Sequence, residues 1–423
     1  MSKISKIEAR EILDSRGNPT VEVDVILTSG IRARASVPSG ASTGVAEAVE
    51  LRDANNERYK GKGVLIAIES VQLLAKLIIG KNISEYKTFD QLFIAADNTK
   101  NKNKHGANAI LALSIACAKA AASQNTQPLF EFLSEDKEYI MPIPLMNIIN
   151  GGAHANNALD IQEFMIVPVG ASSFKEAVRF GAEIFHTLKQ LLQERSFSTS
   201  VGDEGGFAPE IADPIEALDL ILEAISKAGY VAGKEIKIAL DIAASELYQG
   251  GKYHFKGIGK VFTTEQLIDF YEDLISRYPI FSIEDPIVEN DYEGWKLITD
   301  RLGKKIQLVG DDVFVTNVEY LQKGISGNFA NSILIKPNQI GTLSETQDAI
   351  KLAHNNDYST IMSHRSGETA DVSIAHFAVA FGCRQIKAGS LSRSDRVEKY
   401  NELMRIEESL NNNVKYAGRL LFS

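Results

Sequence analysis

The chain has 423 residues, with 45 Lys and Arg against 55 Asp and Glu, for a formal net charge of -10. Its 44% apolar and 24% charged residues are the balance of a soluble globular protein of two to three domains, which excludes a disordered, collagen-like or disulfide-stapled chain. The acidic surplus argues against broad nucleic-acid binding, which needs a basic face.

In chain order, Met1–Ser5 has no apolar core of a signal peptide. The smoothest apolar stretch, 107–122, carries Asn108, Ser114 and Lys119, so it reads as a packed helix and no membrane span is expected. The expected location is cytoplasmic. Cys117 and Cys383, both in small apolar runs, read as buried reduced thiols. Val21, Val23 and Val25 alternate with Glu22 and Asp24, which predicts a half-buried strand over 20–27; a second is expected over 31–37. A small-residue loop, Ser39–Gly44, follows, and then helical patterns at 63–79, 88–96 and 106–123. Strands followed by runs of helices predict an α+β domain over 1–138.

Past the proline-marked segment 134–144 the pattern changes. Short apolar runs recur at 144–149, 162–167, 237–241, 281–284, 307–311, 332–336, 360–364 and 385–387, separated after the second by helical stretches. Strands without alternation are covered on both faces, and eight of them predict an α/β fold, a (β/α)8 barrel over 139–423. About a dozen residues, with Gly151-Gly152 and no helical period, separate the first two runs, too few for a parallel crossover. That pair is predicted to be antiparallel, followed by helices at 172–194 and 214–228, giving ββαα(βα)6. A hairpin over 247–255 is expected to turn at Gly250-Gly251.

The last six predicted strands end in Asp241, Glu284, Asp311, Lys336, His364 and Lys387. Barrel active sites are built where strand ends converge at the C-terminal face, and Glu163, at the start of the antiparallel strand, falls on that face too. So many charges at one cavity are costly unless partnered. Asp241, Glu284 and Asp311 offer hard oxygen ligands with no Cys/His cluster beside them, which suits Mg²⁺. Alternation would send Asp312 to the opposite face, in a structural role. A nearby divalent ion, Arg365, Lys387 and desolvation are all expected to lower the pKa of Lys336; a base and an ion pair to the acids are both open readings for it. Arg365 can hold a phosphate by two parallel hydrogen bonds and Ser366 can add a third. The glycine-rich Val201–Pro209, carrying Asp203 and Glu204, would alone read as a solvated turn. Neither GxxxxGK[ST] nor GxGxxG occurs.

These segments together resemble the enolase family along essentially the whole chain. The resemblance is carried by EILDSRGNPTVEVDV (11–25), ASVPSGASTG (35–44), MNIINGG (146–152), DIQEFMI (160–166), VGDEGGFAP (201–209) and SLSRSDRVE (390–398), and by 308–317, 332–345 and 363–369. It implies a hydro-lyase that interconverts 2-phosphoglycerate and phosphoenolpyruvate, with Lys336 as the base at C2 and Glu204 as the acid for the C3 hydroxyl. It further implies one Mg²⁺ on Asp241, Glu284 and Asp311, and a second that arrives with substrate and touches Ser42. Arg365 and Ser366 would bind the phosphate and Lys387 the carboxylate, with His154, Glu163 and His364 also at the substrate. Homodimers, in some members octamers, are implied, with Glu22 and Arg405 paired across the interface; a secondary cell-surface or secreted pool is implied by the resemblance only. Ala54, Ala370, His376 and Ala388 depart from the usual family pattern, away from these positions. Two competing readings are a racemase or acid-sugar dehydratase of the same superfamily, and a binding protein that keeps the fold without catalysis.

Overall fold

The computed structural model describes residues 2–40, 44, 46–135, 138–411 and 414–419. Strands Ile4–Leu13, Pro19–Leu27 and Arg32–Ser36 form an antiparallel sheet in that order. In the middle strand Val21, Val23 and Val25 are fully buried. Helix Ala107–Gln124 packs over that strand and the third. Small side chains dominate this helix, and 15 of its 18 residues are buried, including Cys117. Helices Leu65–Ala75 and Tyr86–Asp97 complete the layer; the first ends about a turn earlier than the pattern predicts and the second is slightly longer.

The strand Ile4–Leu13 is an element the sequence reading does not contain. It is a sheet edge whose residues after Ile4 are all half-buried or exposed, so its apolar positions show no clean alternation.

Eight strands close a barrel: Ile143–Asn150, Glu163–Val167, Lys237–Asp241, Ile280–Glu284, Gln307–Gly310, Ser332–Ile335, Ser359–Ser363 and Gln385–Lys387. The second is antiparallel to both neighbours, and all other pairings are parallel. Two helices, Phe174–Glu194 and Pro214–Lys227, follow it, so the predicted ββαα(βα)6 order is the observed one. Register places Glu163 beside Asp241 and Glu284 beside Asp241, and joins Ser363 to Lys387, so the charged strand ends lie side by side. The hairpin Tyr248–Gln249 to Lys252–Phe255 turns at Gly250-Gly251, and a third strand, Lys260–Phe262, extends it.

The N-terminal part sits against the barrel mouth. Ser39 and Gly367 exchange backbone hydrogen bonds of 2.7 and 2.9 Å. Gly40 N donates to Glu50 Oε1 (3.1 Å) and Gly44 N to Glu47 Oε1 (3.0 Å), which fixes the described ends of the small-residue loop. No helix among the described residues is long and apolar enough to cross a membrane.

Candidate active site

A cavity of about 40 Å³ opens at the C-terminal ends of the barrel strands. It is lined by His154, Glu163, Glu204, Asp241, Glu284, Asp311, Lys336, His364, Arg365, Ser366 and Lys387, every expected site residue except Ser42, which lies outside the described residues.

Two lysines organise the acids. Lys387 Nζ lies 2.7 Å from Glu284 Oε2, 3.1 Å from Asp241 Oδ2 and 3.2 Å from Glu163 Oε1. Burial works against the Lys387 charge, but Asp241, Glu163 and Glu284 outweigh it and hold the ammonium well above its ordinary range. Burial and Asp241 push the Glu284 carboxyl up to about 8. Lys336 Nζ is hydrogen-bonded to Asp311 Oδ2, whose other oxygen accepts from Gln339 Nε2 at 2.9 Å. From the protein groups alone, the balance at Lys336 runs against the expected fall in its pKa. Desolvation does act downward, but the adjoining Asp311 carboxylate outweighs it and raises the group. Of the two open readings for Lys336, the ion pair describes this state.

Glu163, the third partner of Lys387, also belongs to an acid pair with Glu204. His154 Nδ1 lies 3.4 Å from Glu163 Oε1 and 3.7 Å from Glu204 Oε1. His364 Nε2 lies 3.3 Å from Glu204 Oε1, and Asn147 Nδ2 donates to Glu204 Oε2 at 3.1 Å. Burial, with Glu204 beside it, drives the Glu163 carboxyl well above its ordinary range. At Glu204 burial acts the same way, but the His364 and His154 rings and the Arg396 guanidinium outweigh it and keep the group ionised. The two carboxyls are coupled and take up protons as a pair. The glycine-rich segment is thus no solvated turn: Glu204 is 2% exposed and Gly202 N donates to Gly206 O at 2.8 Å, which folds the loop back over the first barrel strand.

Arg365 is engaged by the N-terminal part. Its Nη1 lies 2.8 Å from Glu47 Oε2 and 3.2 Å from Asn338 Oδ1, and its Nη2 lies 3.2 Å from Glu47 Oε1. Glu47, Asn338, Gln339, Gln162 and Arg396 are site-building residues that sequence reasoning passed over. Gln162 Nε2 donates to Asp241 Oδ2 at 3.1 Å, and its place one residue before Glu163 was the available signal. Asp312 also corrects an expectation, since it lines the same cavity as Asp311. The strand ends at Gly310, so alternation no longer governs the turn that follows. Its amide, with that of Asp311, donates to the buried Asp285 carboxylate at 3.1 and 2.8 Å.

For a metal, the donor chemistry fits a hard cation: the cavity offers carboxylate oxygens, and both cysteines are buried outside its lining. The same acids already gather the Lys387 ammonium. Among the described residues, two groupings bring possible ligand atoms within 4.8 Å of one another, Asp285–Asp311–Asp312 and His154–Glu163–Glu204. Of the expected trio, only Asp311 belongs to either.

Family models match this chain in two consecutive pieces. Residues 4–133 match the model described as enolase, N-terminal domain, and residues 138–423 match that of the enolase C-terminal TIM barrel domain. Matches that cover both parts in order, with the closed barrel and its ring of strand-end charges, show that the chain belongs to the enolase family, a family of lyase-type enzymes.

Proposed function

We propose that the protein is a glycolytic enolase that reversibly dehydrates 2-phospho-D-glycerate to phosphoenolpyruvate. The observation that carries this reading is the division of one cavity into a lysine side and an acid side. Lys336 and Lys387 face the carboxylates of Asp311, Asp241, Glu284 and Glu163, while Glu204 stands with His154 and His364.

The C2 proton of 2-phosphoglycerate lies beside a carboxylate and is weakly acidic. Its removal leaves an extra negative charge on that carboxylate, and departure of the C3 hydroxyl with a proton, as water, then forms the double bond. Lys336 must first lose its own proton: once substrate binding has broken its pair with Asp311, the ammonium gives that proton to solvent and the neutral amine takes the one at C2. Lys387 offsets the charge that develops on the carboxylate. Glu204, which must take up a proton before this step, passes it to the departing hydroxyl, so that water leaves and the carboxylate is restored. Arg365 and Ser366 bind the phosphate, which must compete with Glu47 for the guanidinium. Asp241, Glu284 and Asp311 would hold one Mg²⁺ and Ser42 a second, and these ions would supply charge neutralisation at the substrate carboxylate. A Lys or His base working beside Mg²⁺ is an established pattern of enolase-superfamily sites, to which this reading conforms. A cytoplasmic homodimer is part of the same reading.

Deuterium uptake at C2 in heavy water, followed by NMR, separates the two roles. Lys336→Ala should lose both uptake and product formation; Glu204→Gln should lose product formation and keep uptake, each loss being roughly 10²–10⁴-fold. Rapid uptake by Lys336→Ala would refute the base. Turnover of non-phosphorylated hydroxy acids in preference to 2-phosphoglycerate would replace this substrate with that of another superfamily member.

A further inference from the structure

Arg396, on helix Ser394–Ser409, has no exposed surface. Its Nη1 donates to the Arg365 carbonyl (2.6 Å) and to Nδ1 of His364. Its Nη2 donates to the carbonyls of Ser366 (2.6 Å) and Asp203 (3.3 Å), and its Nε pairs with Asp395 Oδ2 at 2.8 Å. One guanidinium therefore joins the segment after the seventh barrel strand to the glycine-rich loop that carries Glu204. A Cβ on Gly389 would lie 2.7 Å from Arg396 Cδ, so the stem is boxed in.

A guanidinium has only N–H donors and keeps its charge at any working pH. The His364 nitrogen that faces it must therefore present a lone pair. The one ring proton then sits on Nε2, which lies 3.3 Å from Glu204 Oε1 and can only donate to it. An imidazolium would set an N–H against an N–H. The charged groups that face the ring come from three elements: Glu204 on the glycine-rich loop, Arg396 on the helix, and Glu368 beyond Arg365. We propose that Arg396 is a positioning residue which locks His364 as its neutral Nε2–H tautomer and so gives Glu204 a permanent hydrogen-bond donor. Burial, with Arg396 opposing the pull of Glu204, puts the ring at about 4, in keeping with that lock. His364 is then no proton donor to substrate near neutral pH. The importance of Glu204 rests on the function proposed above; the tautomer does not.

The test is ¹⁵N NMR of the full-length protein with labelled histidine, the His364 signals being assigned by their loss in His364→Gln. The wild type should show a pyridine-type Nδ1 and a pyrrole-type Nε2, unchanged between about pH 5 and about pH 8. Arg396→Lys, still a pure donor, should keep this signature. Arg396→Gln, whose carbonyl can accept from the ring, should populate Nδ1–H or the imidazolium, with kcat for 2-phosphoglycerate down by about 10- to 100-fold. A wild-type protein with Nδ1–H, or with an imidazolium at neutral pH, would overturn the proposal whether or not any variant folds. A folded Arg396→Gln with wild-type signals would do the same. The expected tautomer in a protein that does not turn over 2-phosphoglycerate would sink the proposed substrate and leave the lock standing.

Discussion

Asp24 has no exposed surface yet stays a carboxylate, because Arg34 and Arg10 donate to it at 2.5–3.0 Å and Arg32 adds a contact at 3.1 Å. The Arg34 hydrogen bond, with Arg10, outweighs burial and holds its carboxyl at about 2. A carboxyl depressed by folding stabilises the protein above its unfolded pKa and loses that contribution as pH falls through the folded value. The stability gap between wild type and Asp24→Asn, read by urea denaturation, should be roughly 1–2 kcal/mol near neutrality and narrow progressively below about pH 4. A gap that stays constant with pH would mean that Asp24 ionises equally in both states. At the proposed metal site the same reasoning concerns ligand charge. Glu284→Gln keeps the shape but loses the charge that offsets a divalent ion, so its Mg²⁺ requirement should rise at least tenfold, and excess Mg²⁺ should restore turnover only in part. Wild-type Mg²⁺ dependence in that variant would remove Glu284 from the ligand set.

The glycine-rich loop depends on three positions that no side chain fits; at Gly202 a Cβ would lie 2.6 Å from the His154 carbonyl. Gly205 has φ +87°, and a Cβ there would lie 2.5 Å from the Ser392 carbonyl; at Gly206 it would lie 2.2 Å from Asn150 Oδ1 and 2.7 Å from the Asn147 carbonyl. Gly205→Ala must therefore shift the loop and Glu204 with it, lowering kcat about 100-fold and stability by about 2–3 kcal/mol. Asp213→Ala supplies the contrast. Asp213 caps helix Pro214–Lys227 through the Ile215 amide at 2.8 Å, and its loss should cost about 1 kcal/mol with kcat unchanged. Calorimetry and initial rates on both variants check the pair, and equal effects on kcat would show that the loop tolerates displacement. Elements were legible in the sequence where one physical constraint dominated. Continuous apolar runs marked the barrel strands, and the short link through Gly151-Gly152 forced the antiparallel second strand. Ile4–Leu13 was hidden because neither of its faces is fully buried. Arg396 was hidden because a cation in a helical run reads as surface, and only tertiary packing buries it. Strand-end spacing located Lys336 and left an ion pair to the strand-end acids open, but that Asp311 is the acid that holds its ammonium is set by the pairing of the two adjacent strands, which spacing does not give.

At the scale of the molecule, the N-terminal part is a working piece of the barrel mouth, since Glu47 and Glu50 reach Arg365, Gln339 and Asn338. The outer strand of its sheet remains an open edge within one chain. A polar strip crosses the three strands of this sheet, in which Arg10 Nη1 holds Glu22 Oε1 at 2.6 Å, and Ser36 Oγ donates to Glu22 Oε2 at 2.8 Å. On the barrel side, among the described residues Arg405 pairs only with acids of its own helix, Glu402 at 2.8 Å and Glu398 at 3.6 Å, and its side chain is 58% exposed. In the proposed dimer Arg405 turns from these solvated neighbours to Glu22 of a second copy. The exposed pairs it gives up are weak, because water screens them and ordering two long side chains costs entropy. A pair covered by an interface is screened less, and truncating one member leaves the other charge buried without a partner. Arg405→Ala should therefore raise the dimer dissociation constant by about tenfold or more, while its unfolding midpoint at high protein concentration stays close to that of wild type. Sedimentation across a dilution series reads the first quantity and thermal unfolding the second. Dissociation that matches wild type would exclude Arg405 from the interface, whereas a fall in the unfolding midpoint without a change in dissociation would place its contribution within its own helix.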